Sequence, residues 1–140
     1  MTAEHAPTEP LLRWPLVTGA GFALLAVMAG AFGAHGLRSM VSDRTLEVFQ
    51  TAVTYQMYHA LALVLVSLLA GRGLSSRLLE WAARFFLAGI VLFCGSLYLL
   101  VLVGAHWLGP VTPMGGLCFM VGWALLITAG VRQRAGQKEV

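Results

Sequence analysis

Four apolar stretches, at roughly 15–34, 52–70, 85–103 and 113–131, take up most of this 140-residue chain. A helix needs about 20 predominantly apolar residues, at 1.5 Å rise each, to cross about 30 Å of hydrocarbon. Pro15–Ala34 meets this with no charged residue, and the other three fall within the usual range. The chain therefore reads as an all-α integral membrane protein, a four-helix transmembrane bundle. Residues 1–13 and 133–140 read as cytoplasmic tails around one transmembrane domain, 14–132. Hydrophobic residues make up 59% of the chain and charged residues 11%, against about 25% charged in a soluble domain. Little chain remains outside the spans for a soluble catalytic domain. Met1–Pro10 is polar and acidic rather than basic, so it does not read as a cleavable leader.

The net charge of +3 is a matter of topology rather than of nucleic-acid binding. With four spans, the N-terminus, the 71–84 connection and the C-terminus share one side. Arg13, Arg72, Arg77, Arg84, Arg132, Arg134 and Lys138 lie there, against Arg38 and Arg44 opposite. The positive-inside rule then places both termini in the cytoplasm, with the protein in the inner membrane. The partners expected are the lipid bilayer and either a homo-oligomer or a larger membrane complex.

Local signals refine the spans. Pro15 suits a first helical turn, where its missing N–H is no loss, and Trp14 beside Arg13 reads as an interfacial anchor. Ser42 or Asp43 caps the second helix, which then runs from near Asp43 to Ala70, roughly 40 Å. Residues 74–84 read as a cytoplasmic turn into span three, and span four starts with Pro113 in its first turn and ends at Arg132. Span one carries Gly19 and Ala23, and Ala26, Gly30 and Ala34, at four-residue spacing. Small residues at that spacing let membrane helices approach closely, and they predict a tightly enclosed helix. Packing within one bundle and a homo-oligomer interface both fit that stripe. Cys94 and Cys118 lie inside spans and read as small packing residues.

Polar groups at membrane depth are costly without partners, so any site is sought among them. Thr51, Tyr55 and His59 form one helical stripe, with Gln50, Thr54 and Tyr58 beside it and Gln56 one turn before His59. These stripes are expected to face protein or water. His59 lies roughly 12–16 Å below the outer interface. It serves either as a neutral brace bonded to Tyr55, Tyr98 or a helix carbonyl, or as a proton carrier, ligand-binding group or metal ligand. His35 closes span one between glycines, and with His59 it is a candidate for an outward cavity. Ser96 and Tyr98 of span three complete the candidate ligand-binding set of His35, Gln50, Tyr55, Gln56, His59, Ser96 and Tyr98. Ser96 is expected to bond back to its own helix. The segment Thr112-Pro-Met-Gly-Gly116 reads as a closely packed helix start, with an anion site as the alternative. No span holds Asp, Glu, Lys or Arg in its middle, and no His-x-x-x-His or Cys-x-x-Cys pair occurs. The pattern assigns no metal, cofactor or catalytic residue.

Gly30-Ala-Phe-Gly-Ala-His-Gly-Leu37, Gln50-Thr-Ala-x-x-Tyr55-Gln-Met-Tyr-His59-Ala, Gly95-Ser-Leu-Tyr98 and Thr112-Pro-Met-Gly-Gly116 with Trp123 occur in that order. The chain thereby resembles the YgdD/YwdK-like small membrane proteins, a family of unknown function found in bacteria, with eukaryotic relatives. The resemblance covers about residues 15–131. Cys94 departs from it, standing where a small residue is expected. It implies a four-span membrane protein and no assigned substrate, reaction or catalytic residue. Three classes of function stay open. The first is a non-enzymatic accessory or assembly subunit of a membrane complex. The second is a small-molecule binder or transporter with a polar pocket in the outer half of the bundle. The third is an intramembrane enzyme acting on a lipid or quinone.

Overall fold

The structure, a computed structural model, describes residues 12–137, with side chains through Gln133. The N-terminal segment read as a tail falls mostly outside the described residues. Among the described residues every regular element is helical: α1 (Arg13–His35), α2 (Asp43–Leu69), α3 (Ser76–Gly89), a π-helical turn (Ile90–Cys94), α4 (Gly95–Val103) and α5 (Val111–Gln137). The α3, π and α4 segments are continuous and form span three. Four helices are thus long and apolar enough to cross a membrane.

Helix ends follow local chemistry. The Ser42 side chain accepts the Thr45 backbone N–H at 3.3 Å, capping α2 where Asp43 also favours the helix dipole. Gly104, at φ +68°, ends α4 in a left-handed conformation that glycine adopts freely, and its N–H returns to Leu100. Two boundaries differ from the sequence reading. Helix α3 starts at Ser76, so most of 74–84 is helix rather than turn. Its apolar positions Leu79, Ala82, Ala83 and Phe86 fall on one face and are fully buried. Helix α5 continues to Gln137, past the expected end at Arg132. Gln133 ties that extension down, donating to the Arg72 carbonyl at 2.8 Å.

The helices stand as an open row. α1 packs chiefly along α2, α2 along span three, and span three along α5, while α1 and α5 stay apart. Burial follows that order. Of the most apolar part of each span, 44% is buried in α2 and 33% in span three, against 17% for α1 and 22% for α5. The core lies between the middle pair and α5, around Leu63, Val66, Leu79 and Phe86.

Span one is therefore not the enclosed helix its glycines predicted. Pro15, Gly19, Ala26 and Gly33 make its buried seam, whereas Ala34 is exposed and Gly30 only half-buried. A Cβ at Gly19 would stand 2.7 Å from the Ala60 carbonyl oxygen, so this glycine allows backbone-to-backbone contact. The approach is close along one line only, and Val17, Leu24, Val27 and Met28 face outward. The helix ends on the terminal side are bonded together. Ser67 donates to the Leu12 carbonyl at 2.6 Å, and the Trp14 indole donates to Glu80 at 3.0 Å.

Candidate functional site

The polar stripe of α2 divides by direction. Gln56 and His59 turn inward and are 4% and 5% exposed. Gln50, Thr51, Thr54, Tyr55 and Tyr58 are exposed, with one side of the Tyr55 ring lying against His59 and Phe93. Thr51 satisfies its hydroxyl on its own helix, donating to the Glu47 carbonyl at 2.9 Å. Such a bond needs no neighbouring helix.

Gln56 works as a strut. Its amide donates to the Phe22 carbonyl of α1 at 2.9 Å, and its carbonyl oxygen accepts the Tyr98 hydroxyl of α4 at 2.7 Å. One side chain thus ties the two helices that flank α2 on that side. The Phe22 acceptor is a backbone atom, so no side chain marked it in the sequence.

His59 faces another quarter. Its Nδ1 lies 2.8 Å from the Tyr55 carbonyl. A carbonyl only accepts, so Nδ1 carries the proton. Nε2 accepts the Trp123 indole N–H at 3.2 Å. Both ring nitrogens are engaged in a neutral imidazole, and the ring lies on Phe119 with centroids 3.4 Å apart and planes 9° apart. Phe86, Phe93 and the Tyr55 ring complete this aromatic layer. Side chains alone join α2 to α5 here. Trp123 is the residue that reasoning about single polar positions missed. An indole N–H at membrane depth needs an acceptor, and that was the signal available.

Ser96 donates to the Phe93 carbonyl at 2.9 Å, as expected of a hydroxyl bonding its own helix. It also lies 2.7 Å from the Thr112 hydroxyl. Its one proton is spent on Phe93, so it accepts from Thr112, and α4 is joined to the first turn of α5. At the same level Gly115 packs on the π-helical turn, where an added Cβ would run into the Phe93 backbone nitrogen. The close-packed reading of Thr112–Gly116 describes this geometry.

The remaining candidates lie elsewhere. His35 is an exposed residue at the C-terminal end of α1, where Gly33 lies beside Phe49 of α2, whereas His59 lies ten residues further along α2, about 15 Å of helix from Phe49. That rise keeps the two histidines from sharing a cavity. Gln50 lines a cleft at the start of α2 with Arg38, Asp43 and Glu47. The seven candidate residues thus make separate braces and edges rather than one pocket. Among the described residues no three His, Cys, Asp or Glu side chains come together as metal ligands. Cys94 and Cys118 are free thiols.

A groove of about 510 Å³ runs between α1 and span three with α2 as its floor. Phe22, Leu25, Ala29 and Phe32 form one wall. Phe49 and Gln56 form the floor. Ile90, Val91, Cys94, Gly95, Tyr98 and Leu102 form the far wall. The Gln56 strut joins both walls at its base.

The family model described as "Protein of unknown function (DUF423)" matches residues 29–116. The chain belongs to this family. Relatives named UPF0382 membrane proteins align over nearly their full length. A UPF0382 membrane protein of Staphylococcus aureus (strain bovine RF122 / ET3-1) is 47% identical over 81% of this chain and 92% of its own. The UPF0382 membrane protein YwdK of Bacillus subtilis (strain 168) is 44% identical over 84% and 95%. No solved structure matches. The resemblance read from the motifs is thereby confirmed, and with it a membrane protein of four helical spans. The DUF423 match takes in Gln56, His59, Ser96, Tyr98 and Thr112 and stops before Phe119 and Trp123.

Proposed function

We propose that the protein is a non-enzymatic accessory or assembly subunit of a larger complex in the inner membrane, with both termini in the cytoplasm. One observation carries the reading. The buried polar side chains Gln56, His59, Ser67 and Ser96 all bond to a neighbouring helix or chain segment, and among the described residues no buried side-chain nitrogen or oxygen lacks a partner. His59, the strongest candidate acid–base group, has one nitrogen on a carbonyl and the other on an indole. General acid–base catalysis requires such a group within hydrogen-bond reach of the reacting atom. Meanwhile the outward sides of α1 and α5 present bare apolar surface, the surface on which membrane helices associate by packing.

Native mass spectrometry of the protein, gently extracted from its own membrane at natural expression level, tests the proposal. Co-release with larger subunits in a fixed ratio is expected. Release always free of other proteins overturns it. The orientation is tested separately with Met40→Cys and a membrane-impermeant thiol reagent. Labelling from the outer side is expected, and labelling from the cytoplasmic side reverses the topology.

A further inference from the structure

We infer that the groove between α1 and span three is a binding site for a single hydrocarbon chain, supplied by a lipid of the outer leaflet. Its walls decide the chemistry. The lining is almost wholly apolar. The two polar residues that reach it, Gln56 and Tyr98, bond to each other and to the Phe22 carbonyl. A polar solute finds little to bind there, whereas a methylene chain meets packing surface on three sides.

The dimensions select a chain over a helix. Phe22 to Phe32 spans about 15 Å of α1, and Ile90 to Leu102 about 18 Å of span three. Half of the roughly 30 Å hydrocarbon core is the depth of one leaflet. The groove begins beside the outer ends of α1 and α4 and stops near mid-membrane, so it matches one leaflet. The groove is open along one side, so a helix with its side chains, about 10 Å wide, lies across its mouth, whereas a single methylene chain sinks between its walls. Small ligands in proteins occupy sites of about 300–1,000 Å³, often between helices.

Two features show that the slot is built. Gln56 holds both walls from the floor and fixes their separation. The far wall includes the π-helical turn Ile90–Cys94, a local irregularity that recurs at functional sites. Gly95 follows that turn on the groove side, and a Cβ there meets nothing within 4 Å.

Gly95 also supplies the test. Gly95→Leu fills the groove from open space without opposing a neighbour. The purified protein is placed in vesicles of phosphatidylethanolamine and phosphatidylglycerol containing a phosphatidylcholine with a diazirine on one acyl chain. After photolysis the adducts are mapped by mass spectrometry. Adducts are expected to concentrate on Ala29, Val91, Gly95 and Leu102. In Gly95→Leu they should fall roughly tenfold, the change that about 1.4 kcal/mol of lost binding produces. Gly21→Leu, on the outer side of α1 where a Cβ also meets nothing, should leave them unchanged. If Gly95→Leu fails to fold, Ala29→Phe blocks the same slot from the other wall. Adducts spread evenly over the outer sides of α1 and α5, indifferent to either blocking variant, overturn the site. Chain-to-chain crosslinks through the groove, lost in Gly95→Leu while lipid labelling persists, assign it to a second copy and also overturn the proposal.

Discussion

The two outer helices both lie on a neighbour through glycine, yet they are held differently. On the α5 side rings and glycines interlock. Gly122 faces the Phe86 ring, Gly89 of α3 faces the Phe119 ring, and Gly115 meets the backbone of Phe93. His59, Trp123, Ser96 and Thr112 add bonds across that flank. On the α1 side, Gly19 meets the Ala60 carbonyl and Gly33 meets the Phe49 ring along a single line. Beyond that line α1 leans clear of span three and leaves the groove. Small residues thus signal close approach, which is not the same as enclosure. What closes a flank is a reciprocal exchange of bulk for space.

The largest effect should come from breaking that exchange. Gly115→Val sets a side chain against the backbone of Phe93, which cannot rotate away. Overpacking of this kind costs about 1–3 kcal/mol, occasionally more. The thermal midpoint in detergent should fall sharply, and an unchanged midpoint would mean α5 is not interlocked. Gln56→Leu removes both ties of the strut, worth about 1–2 kcal/mol together on the scale of interhelical bonds in membranes. Hydrogen exchange should rise in α1 more than in α5; an equal rise in both would erase the distinction between the flanks. His59→Phe keeps a ring on Phe119 and loses both ring-nitrogen bonds, of which the one to the Tyr55 carbonyl stays within α2 and only the one to Trp123 joins two helices, at about 0.6 kcal/mol. Trp123 emission should shift while the midpoint barely moves, and a large fall in midpoint would show that the bond dominates the stack. Gly21→Ala, where an added Cβ meets nothing, should raise the midpoint slightly, by about 0.5 kcal/mol from helix propensity. A loss there would show that this side of α1 is covered.

The spans were legible because hydrocarbon thickness sets a length that apolar runs must match. The start of α2 was legible because Ser42 and Asp43 are capping residues with a geometric preference. That Ser96 bonds its own helix was legible from hydroxyl chemistry. The partners of Gln56 and His59 were not. One is the Phe22 carbonyl, which looks like every other carbonyl in a sequence. The other is Trp123, on a helix with little backbone contact to α2. The enclosure expected for α1 failed because its residues record how near a neighbour comes, not how many neighbours there are. The π-helical turn was invisible as well. Ile90-Val-Leu-Phe-Cys94 contains neither glycine nor proline and reads as uninterrupted apolar helix.

That turn sets a phase. A π-helical turn carries one residue more than an α-helical turn, and each residue advances an α-helix by about 100°. Everything beyond Cys94 is therefore rotated by about that angle from where an unbroken helix would put it. Phe86 and Gly89 keep their alignment with α5, while Ser96 and Tyr98 are dealt out afresh, one toward Thr112 and the other toward Gln56. Span three is in effect two short helices sharing an axis with a clocking offset. Excising one residue from the turn would leave a longer regular helix and swing the Tyr98 hydroxyl off the strut, so the length of this span is as constrained as its composition.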